Sequence, residues 1–119
     1  MTILIVDDNA KMRGLIRSLL TGKRFRCHEC ADGGSALAQS DVLHPDVVLM
    51  DVEMEPMDGI TATRLIKLRH PEIKVIVLTD DADRRTQEAA HAAGADGFLK
   101  KEDLISVENV LERISAGQT

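Results

Sequence analysis

Residues 3–8 read ILIVDD, 47–51 read VVLMD and 75–79 read VIVLT, aliphatic runs without polar alternation that each close on a carboxylate or a hydroxyl. A strand with one face in water alternates apolar and polar side chains, so unbroken runs of this length belong to a parallel sheet covered on both faces. The intervening segments supply the covering helices. Met12, Leu15, Ile16, Leu19 and Leu20 recur at helical spacing behind a capping Asn9, and Gly22 ends that segment. Residues 25–30 read as a weaker strand, Asp32-Gly33-Gly34 as a turn, and Ser35 to Leu43 as a short second helix before Pro45. Ile60, Leu65, Ile66 and Leu68 mark a third helix, stopped by His70-Pro71. Arg84 to Ala93 forms a fourth helix ended by Gly94, and Gly97-Phe98-Leu99 a fifth strand. Leu104, Val107, Val110, Leu111 and Ile114 then give the last helix its buried stripe.

Five strand–helix units in 119 residues leave about 24 residues per unit, which suits a single-domain, doubly wound open sheet and is too few for an eight-unit barrel. A hydrophobic content of 44% is enough to build one core, and a two-domain enzyme is excluded by length. With 15 Lys+Arg against 20 Asp+Glu the net charge is -5, which argues against a phosphate backbone or an anionic membrane as the main partner. Aromatics at 2% leave no base-stacking platform, and no helix-turn-helix is present, so direct nucleic-acid binding is not expected. No basic stretch leads into a long apolar segment. Neither a signal peptide nor membrane insertion is expected, and the cytoplasm is the expected compartment. No linker or repeat interrupts the chain, which reads as one module, residues 1–119, without an attached output domain.

In an open α/β sheet, ligands bind beyond the carboxyl ends of the strands. The first run ends there in Asp7-Asp8, the central one in Asp51, the next in Thr79 and the last in Lys100-Lys101. Carboxylates brought within about 4 Å repel by on the order of 4 kcal/mol per pair at an effective dielectric near 20, so their convergence calls for a cation. Oxygen-only ligands favour a hard ion such as Mg²⁺, which commonly shares its coordination with phosphate. A hydroxyl donor, a lysine, the cation and a free carboxylate together suit phosphoryl transfer, where positioning and charge neutralisation dominate.

These residues resemble the response-regulator receiver domain of two-component signalling over essentially the whole chain. The resemblance rests on Ile5-Val6-Asp7-Asp8-Asn9 with Arg13, on Asp51 with Met54, Met57, Asp58 and Gly59, and on Gly94-Ala95-Asp96-Gly97-Phe98-Leu99-Lys100-Lys101. It implies a flavodoxin-like five-stranded sheet of order 2-1-3-4-5 with five helices. It implies that Asp51 accepts a phosphoryl group from a sensor histidine kinase or a histidine phosphotransfer protein. Asp8 and Asp51 would ligate Mg²⁺ directly, Asp7 through water, and the Glu53 backbone carbonyl would complete the protein ligands. Thr79 would hydrogen-bond the phosphoryl oxygens, and Lys101, three places after the switch aromatic Phe98, would be the site lysine in place of Lys100. Coupling of Thr79 to Phe98 would remodel helix 4, strand 5 and helix 5 for a downstream protein or a second copy of the chain. Catalysis would be confined to the chain's own phosphorylation and dephosphorylation. Glu55 stands where the family has proline, with Pro56 one place later; Asp80-Asp81 adds negative charge after Thr79; Glu102 replaces a proline after the lysine.

Other readings meet obstacles. A phosphatase of the haloacid dehalogenase type needs D-x-D spacing, whereas Asp7 and Asp8 are adjacent; nucleotide carriers and hydrolases need glycine- or hydroxyl-rich phosphate loops that are missing. A pseudo-receiver that keeps the fold as an interaction module without phosphorylation is the surviving alternative. Cys27 and Cys30 lie on a strand, where residues three apart face opposite ways and cannot close a disulfide, and zinc lacks a second cysteine pair. His28, His44, His70 and His91 read as dispersed surface or turn residues.

Overall fold

The computed structural model describes residues 1–20, 22, 24–80 and 83–115. Five parallel strands form the sheet: β1 (Thr2–Val6), β2 (Arg26–Cys30), β3 (Val47–Asp51), β4 (Lys74–Thr79) and β5 (Gly97–Lys100), in the order β2-β1-β3-β4-β5. Helices α1 (Ala10–Leu19), α2 (Gly33–Leu43), α3 (Gly59–Arg69), α4 (Arg84–Ala92) and α5 (Val107–Ser115) connect and follow them. The expected doubly wound topology is therefore the observed one.

Side-chain alternation splits each central strand between two cores. Ile3, Ile5, Val47, Leu49, Ile76 and Leu78 pack with Ile16 and Leu20 near α1 and with Val107 and Leu111 of α5. Leu4, Val6, Val48, Met50, Val75 and Val77 pack with Ala36 of α2, Ala62 and Ile66 of α3, and Ala90 of α4. This is why these strands carry no polar position: both faces are dry, and each fully buried aliphatic side chain contributes about 1.5–3 kcal/mol. β2, at the sheet edge, buries none of its residues completely, which accounts for its weaker pattern.

Several local expectations need correction. Gly33 and Gly34 do not form a turn but open α2, because the Asp32 carboxylate accepts the Ser35 N–H at 2.7 Å and caps the helix there. Leu68 is 75% exposed and Leu15 47%; the buried face of α3 runs through Gly59, Ala62, Thr63 and Ile66 instead. The last helical segment begins as a 3₁₀ stretch, Lys101–Ser106, before α5 proper. Gly22, the expected stop after α1, follows the Leu20 cap with a φ of 114°. No helix among the described residues is long and apolar enough to cross a membrane.

Candidate functional site

The carboxyl ends of β1 and β3 adjoin at the point where the strand order reverses, which places the residues after them in one crevice. Asp7 follows β1 and is buried, 1% exposed. Its backbone N–H donates to the Cys30 carbonyl (3.2 Å), its carbonyl accepts Arg13 Nη1 (2.6 Å), and its Oδ1 accepts the Asn9 N–H (2.9 Å). Asn9 in turn caps α1 through the N–H groups of Lys11 and Met12. The start of α1 thus fixes the Asp7 side chain. Asp8 is exposed to solvent.

Asp51 ends β3 and is 2% exposed. The loop beyond it is tied down at two points: Val52 N–H donates to Leu78 O (3.0 Å), and Gly59 N–H donates to Val52 O (2.9 Å). Met54 anchors the loop by burial, whereas Glu53, Glu55 and Pro56 are exposed, and the Glu55–Pro56 peptide is cis. The Glu53 N–H hydrogen-bonds the Asp51 carboxylate. Asp58 caps α3 by accepting the Thr61 N–H at 2.8 Å. Gly59 packs so closely on β3 that a Cβ there would lie 1.8 Å from the Asp51 carbonyl oxygen.

Thr79 ends β4, is 2% exposed, and lies opposite Lys100 in the register. The two lysines diverge. Lys100 is solvent-exposed and faces Glu102 at 3.7 Å, while Lys101 Nζ lies 2.9 Å from Asp51 Oδ1 and 3.3 Å from Asp7 Oδ2. Phe98 is half-buried on β5 opposite Val77, so Thr79, two residues beyond Val77, belongs to the same strand face. Phe98 also lines a cavity of about 240 Å³ with Ala90 and His91 of α4. Asp80 is exposed, and Asp81 lies outside the described residues.

Burial pushes the Asp51 carboxyl up to about 6 and the neighbouring Asp7 charge adds to this, while Lys101 and the Glu53 N–H pull the other way. For Lys101, burial acts downward, but the hydrogen bond and charge of Asp51, with Asp7 behind it, leave the ammonium above its ordinary value. One ammonium does not balance the pocket. Asp7, Asp8 and Asp51 each present an oxygen within 4.8 Å of the others, and the buried Asp7 Oδ2, 3.3 Å from the Lys101 ammonium that it shares with Asp51, makes no well-formed hydrogen bond among the described residues. Buried carboxylates that share one ammonium keep uncompensated negative charge that a divalent ion on this all-oxygen set would neutralise, so the residues fit Mg²⁺.

The structure therefore brings together Asp7, Asp8, Asp51 and Lys101, with Thr79 at the adjacent strand end. Two supports went without a role in the sequence reading. Arg13 braces the Asp7 carbonyl, and Gly59 permits close approach of α3 to β3. A glycine directly after a helix cap, where better helix formers serve, is the signal that marks such an approach.

Elsewhere, Cys27 and Cys30 are free thiols on β2, and burial pushes the Cys30 thiol up to about 11, out of the reactive range. The histidines are not all dispersed: the His44 and His70 rings stack edge to face with centroids 5.2 Å apart.

Residues 3–114 match the response regulator receiver domain. The chain is 35% identical over 97 residues to the DNA-binding transcriptional regulator NtrC of Klebsiella pneumoniae, an alignment that covers 82% of this chain and 21% of that protein. It is 35% identical over 120 aligned positions to the response regulator protein VraR of Staphylococcus aureus, covering 98% of this chain and 57% of VraR. The chain thus spans between a fifth and three fifths of these relatives. Among solved structures, a LuxR-family two-component response regulator from Aurantimonas sp. superposes with a TM-score of 0.91 at 28% identity, covering 98% of this chain and 86% of that one. The chemotaxis protein CheY4 of Vibrio cholerae superposes with a TM-score of 0.86 at 25% identity, covering 94% and 96%. With the acidic crevice at the strand ends and this match along nearly its full length, the chain belongs to the response regulator receiver domain family, a signalling module of two-component systems.

Proposed function

We propose that this chain is a phosphorylation-controlled switch, a receiver module in which Asp51 takes a phosphoryl group from the phosphohistidine of a sensor histidine kinase or a histidine phosphotransfer protein. Receiver domains act in phosphorylation-dependent signalling, with such kinases as partners and with effector domains in related regulators. In the transfer, an Asp51 oxygen attacks phosphorus. The P–O bond forms as the P–N bond breaks, and the partner's imidazole leaves with the electron pair. Lys101, 2.9 Å from Asp51 Oδ1, favours the ionised nucleophile and faces the charge that develops on the phosphoryl oxygens. The Thr79 hydroxyl is the donor to one of those oxygens.

Asp7, Asp8, Asp51 and the Glu53 backbone carbonyl would hold Mg²⁺. When bound, the cation supplies the second positive charge that shields Asp51 from the incoming phosphate. Phosphorylation then repositions Thr79, and Phe98 follows, altering the surface of α4, β5 and α5 for a downstream protein or a second copy. The cytoplasm is the compartment of this exchange. Beyond its own phosphorylation and dephosphorylation the chain performs no catalysis in this reading.

One observation carries the proposal: carboxylates from two separate strands converge, and the two buried ones, Asp7 and Asp51, share a single ammonium, Lys101. The test is incubation with acetyl phosphate, with and without Mg²⁺, followed by intact-mass measurement. One phosphoryl group is expected, dependent on magnesium and absent in Asp51→Asn. An unchanged mass with the ion and donor in excess would establish the pseudo-receiver instead.

A further inference from the structure

At the opposite edge of the sheet, α2 and α3 end side by side, and each ends on a histidine. His44 terminates α2 in the left-handed region (φ 45°, ψ 58°) before Pro45; His70 terminates α3 before Pro71, and Glu72 follows at the entrance to β4. One ring nitrogen from each histidine and one Glu72 oxygen lie within 4.8 Å of one another. His70 Nδ1 faces Glu72 Oε1 at 3.6 Å. Its other nitrogen, Nε2, is engaged by Asp41 Oδ1 at 2.6 Å, and the second Asp41 oxygen holds Arg69 Nη1 at 2.5 Å.

This is the arrangement that prepares an imidazole for a metal. A carboxylate accepting one ring N–H fixes the tautomer and leaves the other nitrogen as a lone-pair donor, as histidine ligands generally require. Here Asp41 on Nε2 leaves Nδ1 facing Glu72, with the His44 ring packed edge to face on that of His70. The His70 side chain is 14% exposed, so its orientation is held by packing as well as by Asp41. Arg69 offsets the Asp41 charge. His44 and Glu72 also line an open cavity of about 640 Å³, which gives an ion an entry path and leaves room for water as a further ligand.

We propose that His44, His70 and Glu72 form a binding site for a borderline divalent cation of the zinc class, with Asp41 as the positioning carboxylate. Two imidazoles and one carboxylate suit zinc, whereas the all-oxygen pocket suits magnesium, so the two ends of the sheet select different ions. Strands of five or six residues hold the sites roughly 16 Å or more apart, which makes them independent. Zinc would bridge the ends of α2 and α3, already joined there by the Asp41 contacts to Arg69 and His70, and the turn that leads into β4.

The test is zinc titration of the metal-free full chain against a chromophoric chelator, with millimolar Mg²⁺ present to occupy the acidic pocket. One equivalent is expected to bind. His44→Asn, which tolerates the left-handed backbone, and Glu72→Gln are each expected to weaken binding at least tenfold, and Asp41→Asn by about tenfold or more. The double variant Cys27→Ser/Cys30→Ser should bind as the wild type does. Nitrogen-15 spectra of the histidine rings supply a second readout: zinc should shift His70 Nδ1 while Nε2 keeps its proton. Absence of zinc binding by the wild type would overturn the proposal. So would wild-type affinity in both His44→Asn and Glu72→Gln, loss of the equivalent in the cysteine double variant, or metallation of His70 at Nε2.

Discussion

Replacing Gly59 by alanine adds one methyl group where the chain has no room for it. The new Cβ would lie 1.8 Å from the Asp51 carbonyl oxygen, 2.7 Å from its carbonyl carbon and 3.0 Å from the Val52 Cα. An ordinary carbon–oxygen contact is about 3.3 Å, so α3 and the end of β3 must separate by roughly 1.5 Å. All three neighbours are backbone atoms, and no flexible side chain can yield. The separation also stretches the bond from Gly59 N–H to Val52 O, now 2.9 Å. Overpacking in a close-packed interior costs about 1–3 kcal/mol, and with backbone on both sides the upper end, about 3 kcal/mol, is expected here. With an unfolding entropy of about 2.1 cal/mol/K for each of 119 residues, that lowers Tm by about 12 °C. Gly14→Ala is the matched control, since nothing lies within 4 Å of its added Cβ. In the exposed interior of α1 that change should stabilise by about 0.5–1 kcal/mol. Thermal unfolding of both variants in Mg²⁺-free buffer supplies the comparison. A Gly59→Ala protein melting within about 2 °C of the wild type would refute the close-approach reasoning.

Three other outcomes follow from the same contacts. Because the folded-state Asp51 pKa is raised to about 6 from an ordinary 3.8, its ionisation opposes folding: the stabilising contribution is complete below about 4 and is lost as pH rises through 6. Asp51→Asn should therefore raise the Tm of the metal-free protein at pH 7.5, roughly one and a half units above that pKa, with a smaller advantage at pH 5; an advantage that grows on acidification would contradict the assignment. Lys101→Met leaves Asp51 and Asp7 without their shared cation and should destabilise by about 3–5 kcal/mol in urea unfolding, an effect that added Mg²⁺ partly reverses. A neutral result would mean that Lys101 contributes no compensation. Finally, α4 buries little beyond Ala90, with Ala93 just past its end, so its amides should exchange faster than those of β3 and β4; equal protection would remove the physical argument for α4 as the mobile element.

The fold was legible where both faces of an element are buried. ILIV, VVLM and VIVL carry no polar position because each lies between two helical layers. Pattern reading weakened wherever one contact outweighed spacing. Gly33-Gly34 has the composition of a turn, but the Asp32 cap starts a helix there. Leu68 continues an apolar series, yet small residues, Gly59, Ala62 and Thr63, let α3 press its other side onto the sheet. At the acidic crevice, strand-end polarity and the family motif together named Asp7, Asp8, Asp51, Thr79 and Lys101, residues that the fold gathers because parallel strands end on one edge. The same rule brings His44 and His70 together on the other edge. Their 26-residue separation hides this, since it depends on α2 and α3 being neighbours with coincident ends.

The central claim is that Asp51 is the phosphoryl acceptor, and trapping the modified side chain tests it most directly. After phosphorylation with a small donor in Mg²⁺, borohydride reduction converts an aspartyl phosphate to homoserine, which peptide mapping locates. The mass change is expected on the peptide carrying Asp51 and at that residue alone. Homoserine at Asp7, Asp8 or any other acid, with Asp51 unmodified, would contradict the account.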